Sequence, residues 1–182
     1  MQGIFRKENT DKALKYGIYR HLPTYEKIIR NLVSFYFNKV TNMSGMFGLC
    51  EKLTSLNLTP LNTQNVTDMS DMFYNCSGLT ALDLSPLDTQ KVTNMSWMFY
   101  NCSGLTALDL SLIDTSKVTN MNAMFKDCST LTHLSLGEKF AFVGSEYNLP
   151  SGTWYSSNGT AYTSDGNSCT IPNNKADTYT RR

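Results

Sequence analysis

Cys50, Cys76, Cys102 and Cys128 stand 26 residues apart, and the sequence around each recurs with the same period. The units read VTNMSGMFGLCEKLTSLNLTPLNTQN from Val40, VTDMSDMFYNCSGLTALDLSPLDTQK from Val66, VTNMSWMFYNCSGLTALDLSLIDTSK from Val92 and VTNMNAMFKDCSTLTHLSLGEKF from Val118. A unit this short cannot bury its own apolar face, so successive units must stack and share one interior. Equivalent side chains then fall into columns, and each column has one structural role repeated four times.

Within the second unit, Met69, Met72, Phe73 and Cys76 lie at i, i+3, i+4 and i+7, a stripe that predicts a short amphipathic helix. Thr67 or Asp68 is placed to cap it. Two turns are too few to be stable alone, so such a helix depends on its neighbours. The following LTALDL segment ends in a Leu-x-Leu alternation, which predicts one short strand per unit with leucines inward. Strands separated by a return of fixed length run parallel, stacked about 4.8 Å apart. Asp88 and Asp114, each followed by Thr, suit turns leading into the next unit. The expected fold is an α/β solenoid, with a parallel β-sheet on one face and short helices on the other.

Leu-x-x-Leu-x-Leu followed by a helical return resembles a leucine-rich repeat. The string V-T-[ND]-M-S-x-M-F-x-x-C-x-x-L-T-x-L-[DN]-L resembles the BspA-like repeats of bacterial surface proteins, over residues 40–140. The tail, with GTWYSSNGTAYTSDG and TYTRR, is similar to segments that close such arrays. The resemblance implies a secreted or surface-attached protein that binds other proteins in adhesion to a host or to other microbes. It brings no catalytic residues.

An open stack exposes apolar side chains at both ends, so atypical caps are expected. Residues 1–39 read as a helical N-terminal cap, with Tyr25, Ile28, Ile29, Leu32, Val33 and Tyr36 on one face of a helix over residues 24–37. Residues 40–140 hold the four repeats. Residues 141–182 read as a β-hairpin-like C-terminal cap and tail, with Trp154, Tyr155 and Tyr162 around a Ser-Ser-Asn-Gly turn and Thr178, Tyr179 and Thr180 as a final edge strand.

A net charge of +1 with 17% charged residues argues against nucleic acid as a partner. No apolar stretch approaches the ~20 residues of a membrane span, so membrane insertion is not expected. The cysteines follow the fold period and not the close pairs of a zinc site, which makes them a buried structural ladder with no metal. His21 and His133 are the only bases of their type, and neither belongs to a recognisable triad. The chain is therefore expected to be no enzyme and to need no cofactor. A carbohydrate bound through Trp154 and Tyr162 is a weaker alternative than aromatics covering the last leucines.

In this geometry the outward strand positions share a face: Ser55 and Asn57, Ala81 and Asp83, Ala107 and Asp109, His133 and Ser135. These form the candidate binding surface, with Asp83 and Asp109 on adjacent strands. Trp97 occupies a variable position of the repeat, expected exposed on the helical side, and is a second candidate contact. The functional expectation is a non-catalytic protein-binding repeat module of a bacterial surface or secreted protein. The absence of a visible signal segment keeps open an intracellular, cytoplasmic scaffold or effector.

Overall fold

A computed structural model describes residues 40–182. The expected cap over residues 1–39, with its helix, lies outside the described residues.

The units stack in register. Asn42 bridges Asp68, Asp68 bridges Asn94 and Asn94 bridges Asn120, all parallel and all 26 residues apart. The expected helices are not there: among the described residues the chain is all β with turns, which overturns the α/β leucine-rich-repeat solenoid. The hydrogen bonds show what the Met-Phe-Cys segment does instead. In the second unit the amides of Met69, Asp71, Phe73 and Asn75 donate to the carbonyls of Asn94, Ser96, Met98 and Tyr100 in the third, at 2.7–3.0 Å. The intervening amides of Met72, Tyr74 and Cys76 donate back three residues, to Met69, Asp71 and Phe73. Every second amide thus ties one coil to the next, and the others close consecutive turns.

Two physical reasons exclude the helix. Every fourth residue has positive φ: Asp71 (57°), Asn75 (57°), Trp97 (61°), Asn101 (52°), Ala123 (54°) and Asp127 (62°), with Gly45 (64°) and Leu49 (64°) in the first unit. A right-handed helix tolerates none of these. The second reason is width, because a helix with its side chains spans ~10–12 Å and cannot repeat at the ~4.8 Å spacing of a hydrogen-bonded stack. The i, i+3, i+4, i+7 stripe comes from a four-residue turn repeated twice, which points side chains inward at nearly helical intervals. The residues expected to cap helices make Asx turns: Asp68 Oδ1 accepts from the Ser70 amide at 2.9 Å and Asn94 Oδ1 from the Ser96 amide at 3.1 Å.

The interior follows the expected columns. Phe47, Phe73, Phe99 and Phe125 stack with centroids 5.7, 5.7 and 6.2 Å apart. Cys76, Cys102 and Cys128 are buried beside them, and their thiols donate to the carbonyls of Phe47, Phe73 and Phe99 at 3.0–3.1 Å. Thr63, Thr89 and Thr115 form a buried polar column. Thr89 Oγ1 accepts from the Asp114 amide at 2.8 Å and donates to the Asp114 carbonyl at 3.0 Å.

Of the four Leu-x-Leu segments, the last two are strands. β1 (Ala107–Leu110) and β2 (His133–Leu136) pair in parallel, Asp109 opposite Ser135. The segments over residues 53–58 and 79–84 bury Leu58, Leu79 and Leu84 without forming a ladder. Pairing spreads from the C-terminal cap, where β5 (Asp177–Arg181) runs antiparallel to β2 and carries the hairpin of β3 (Gly152–Ser156) and β4 (Ala161–Ser164). The sheet order is β1-β2-β5-β3-β4, so the strand around Tyr179, expected at an edge, is the central one. Trp154, Tyr179, Phe140, Phe142, Tyr147 and Leu149 belong to the same core as the repeats, and the cap therefore completes the stack.

Candidate functional site

The strand-face candidates are outward, as the alternation requires. Ser55, Asn57, Ala81, Asp83, Ala107, Asp109 and His133 are exposed, and Ser135 is half-buried. They do not form one sheet surface, because residues up to Asp83 precede β1 and lie outside the ladder. The face continues beyond β2 into the cap, where His133 pairs with Thr180 and Thr180 with Tyr155.

Asp83 and Asp109 each spend one carboxylate oxygen on their own turn, accepting from the amides of Ser85 and Ser111 at 2.9 Å. The Ser85 hydroxyl and amide hold the Asp83 carboxyl below the usual range. Asp88 and Asp114 repeat the device with Gln90 and Ser116 at 3.1 and 2.9 Å. The hydrogen bonds from Ser116, followed by Lys139, lower Asp114, whose Oδ2 lies 3.3 Å from the Lys139 ammonium. Between these turns opens a cleft of about 280 Å³ lined by Pro86, Leu87, Asp88, Leu112, Asp114 and Lys139 among others. Leu112 forms one wall and is 68% exposed, the one large hydrophobic side chain so exposed among the described residues. The sequence reading missed Leu112, although a signal existed: the two preceding units carry Pro60 and Pro86 in its column.

Trp97 is half-buried rather than exposed. Its positive φ turns the ring onto its neighbours, with centroids 4.9 Å from Tyr100 and 6.4 Å from Tyr74, while Tyr74 and Tyr100 stack at 5.0 Å. Lys126 lies 6.0 Å over the Tyr100 ring, and the Asp127 carboxylate beside that phenol raises its pKa. Tyr74 and Tyr100 were also missed. They are hidden within the repeat as the residue after Phe, where the first and last units have Gly48 and Lys126. The result is a three-ring surface patch on the side of the stack that carries the Met-Phe-Cys turns.

The remaining candidates have structural positions. Burial pushes the thiols of Cys76 and Cys128 up to about 12 and that of Cys102 higher, so they are protonated at neutral pH. Cys50, expected in the buried ladder, is half-buried at the first unit, as is Cys169, and no disulfide joins any of the five cysteines. His133 Nδ1 lies 2.9 Å from the Thr132 hydroxyl. His21 lies outside the described residues. Trp154 is fully buried, its indole donating to the Pro150 carbonyl at 3.1 Å under the Arg181 guanidinium, so it presents no ring face to a sugar. Tyr162 packs edge-on against Tyr179. Among the described residues no group of His, Cys, Asp or Glu is arranged to hold a metal, and no helix is long and apolar enough to cross a membrane.

No curated protein and no solved structure matches the chain. A family model does, over residues 18–137, about two thirds of the sequence and nearly all of the repeat region. The chain belongs to the family described as Mycoplasma protein of unknown function, DUF285.

Proposed function

We propose that this protein is a non-catalytic binding module of a bacterial surface or secreted protein, and that its partners are other proteins. The observation that carries the reading is the Tyr74, Trp97 and Tyr100 patch, because clustered Trp and Tyr with a neighbouring cation is the composition of binding hot spots. A Trp in a left-handed backbone conformation costs roughly 1–2 kcal/mol, and its neighbours in the column are Asp71 and Ala123, so packing of the coil does not call for an indole there. Chemistry elsewhere supports a module without catalysis. The thiols of Cys76, Cys102 and Cys128 are buried and protonated, and His133 faces a hydroxyl rather than a carboxylate. The resemblance of the repeat string to BspA-like surface proteins supports display outside the cell and a role in adhesion.

The test joins location to contact. A photo-crosslinking amino acid placed at Trp97 in the native organism, followed by surface biotinylation of intact cells, is expected to yield a biotinylated protein with a discrete protein adduct that disappears with Tyr100→Ala. Recovery only from cytosol, with no adduct at position 97, overturns the reading in favour of an intracellular scaffold.

A further inference from the structure

The cleft beside Leu112 lies apart from the aromatic patch and combines two features that are unrelated in origin. One is the 68% exposed Leu112 itself, in a column where Pro60 and Pro86 stand in the preceding coils. Its side chain borders both the 280 Å³ cleft and a smaller cavity of about 50 Å³ beside Asp83 and Asp109. The other is a set of four turn aspartates with a common geometry, Asp88 and Asp114 lining the larger cleft and Asp83 and Asp109 the smaller cavity on the other side of Leu112. In Asp83, Asp88, Asp109 and Asp114 the Oδ1 atom is held by the amide two residues on, which fixes the carboxylate. Lys139 shows what the remaining oxygen accepts, since its ammonium sits 3.3 Å from Asp114 Oδ2 at the mouth of the same cleft. Asp83, Asp88 and Asp109 have no such cation among the described residues. A chain whose net charge is +1 thus carries a locally acidic surface on both sides of Leu112, the most exposed large aliphatic side chain among the described residues.

We propose that this cleft docks a basic segment of a partner protein, an extended stretch in which an aliphatic side chain packs on Leu112 and flanking Lys or Arg side chains pair with Asp83, Asp88 and Asp109. The inference rests on the protein-binding reading and names the chemistry of one partner contact. Apolar burial supplies affinity, and the fixed carboxylates supply selectivity and a fast, salt-sensitive encounter. An acidic partner is repelled from the same place.

The probe is a fluorescein-labelled ten-residue peptide alternating Lys and Leu, titrated by anisotropy into the full 182-residue chain. Two control peptides replace Leu with Ser, or Lys with Glu. Saturable binding is expected for the Lys-Leu peptide alone. Leu112→Ser and the Asp83→Asn/Asp109→Asn pair are each expected to weaken it by about tenfold, as expected for a well-packed side chain or a pair of charges. Trp97→Ala leaves it unchanged. Leu112→Ser lies on the surface, and its amide spectrum confirms folding before titration. Binding that survives both cleft variants, binding abolished by Trp97→Ala, equal binding of the Glu peptide, or no binding at all overturns the proposal. If the peptide fails while the position-97 adduct still forms, the cleft inference falls and the protein-binding reading stands.

Discussion

Gly45 offers a substitution whose sign depends on the backbone of the repeat. It lies in the stretch where the sequence pattern predicts a helix, its φ is +64°, and a Cβ built on it meets no atom within 4 Å. Sterics beyond the residue itself therefore contribute nothing to Gly45→Ala. The left-handed conformation costs an Ala about 1–2 kcal/mol. The stiffer unfolded chain offsets about 0.4–1 kcal/mol of that. The net expectation is a loss of about 1 kcal/mol. In a helix the same change would raise stability by about 0.8–1.0 kcal/mol, because Gly is the poorer helix former. The two readings differ by about 2 kcal/mol with opposite sign. Urea unfolding followed by fluorescence of the buried Trp154 measures it, since at an m-value of ~2 kcal/mol/M the midpoint moves by about half a molar unit. Ala123→Gly is the companion: at φ 54° it relieves torsion while losing one buried methyl, so the change is expected near zero instead of the ~1 kcal/mol loss of a helix. A Gly45→Ala protein more stable than the parent would refute the turn assignment.

Thr89→Val removes the buried hydroxyl that both accepts from the Asp114 amide and donates to the Asp114 carbonyl, and is expected to cost ~1–3 kcal/mol in chemical denaturation because those part-buried groups lose their partner. Phe99→Ala interrupts the ring column between Phe73 and Phe125 and is expected to cost ~3–5 kcal/mol, enough to abolish a cooperative thermal transition in a marginal protein. Asp71 has its carboxyl pKa raised, first by burial and then by Asp68, so its ionisation opposes folding. Stability it withholds is therefore lost as pH rises above the ordinary carboxylate value, and Asp71→Asn is expected to stabilise by less than about 1 kcal/mol at pH 7 and by nothing below pH ~3 in paired melts. Thiol titration of the native protein at pH 8 is expected to modify Cys50 and Cys169 first, with Cys76, Cys102 and Cys128 reacting only on unfolding.

The repeat period, the in-register columns and the burial of Met69, Met72, Phe73, Cys76, Leu79, Leu82 and Leu84 were all readable, because each follows from the spacing of apolar residues alone, while Leu53 and Leu56 in the first unit are only partly buried. Backbone conformation was not. A stripe at i, i+3, i+4 and i+7 is produced both by a helix and by consecutive four-residue turns, and spacing cannot separate them. The discriminating signal lay in the outward columns, where Gly45, Asp71, Asn75, Asn101 and Asp127 are residue types that accept positive φ, but Leu49, Trp97 and Ala123 dilute it. Strands in the third and fourth units and the cap hairpin were legible, whereas the central place of β5 was not, since non-local antiparallel pairing leaves no local pattern. The outward direction of Ser55, Asn57, Ala81, Asp83, Ala107, Asp109 and His133 was legible from the alternation. What escaped was which of its members cluster, because Leu112 beside Asp88 and Trp97 beside Tyr74 are neighbours between coils and not along the chain.

Everything rests on coils bonded to one another through the Met-Phe-Cys segment, and scalar couplings across hydrogen bonds report that directly. In isotope-labelled protein, the Phe73 amide is expected to couple to the carbonyl carbon of Met98, 25 residues onward, at a hydrogen-bond length of 3.0 Å. Coupling to Met69, four residues back, would mean a helix and contradict the account.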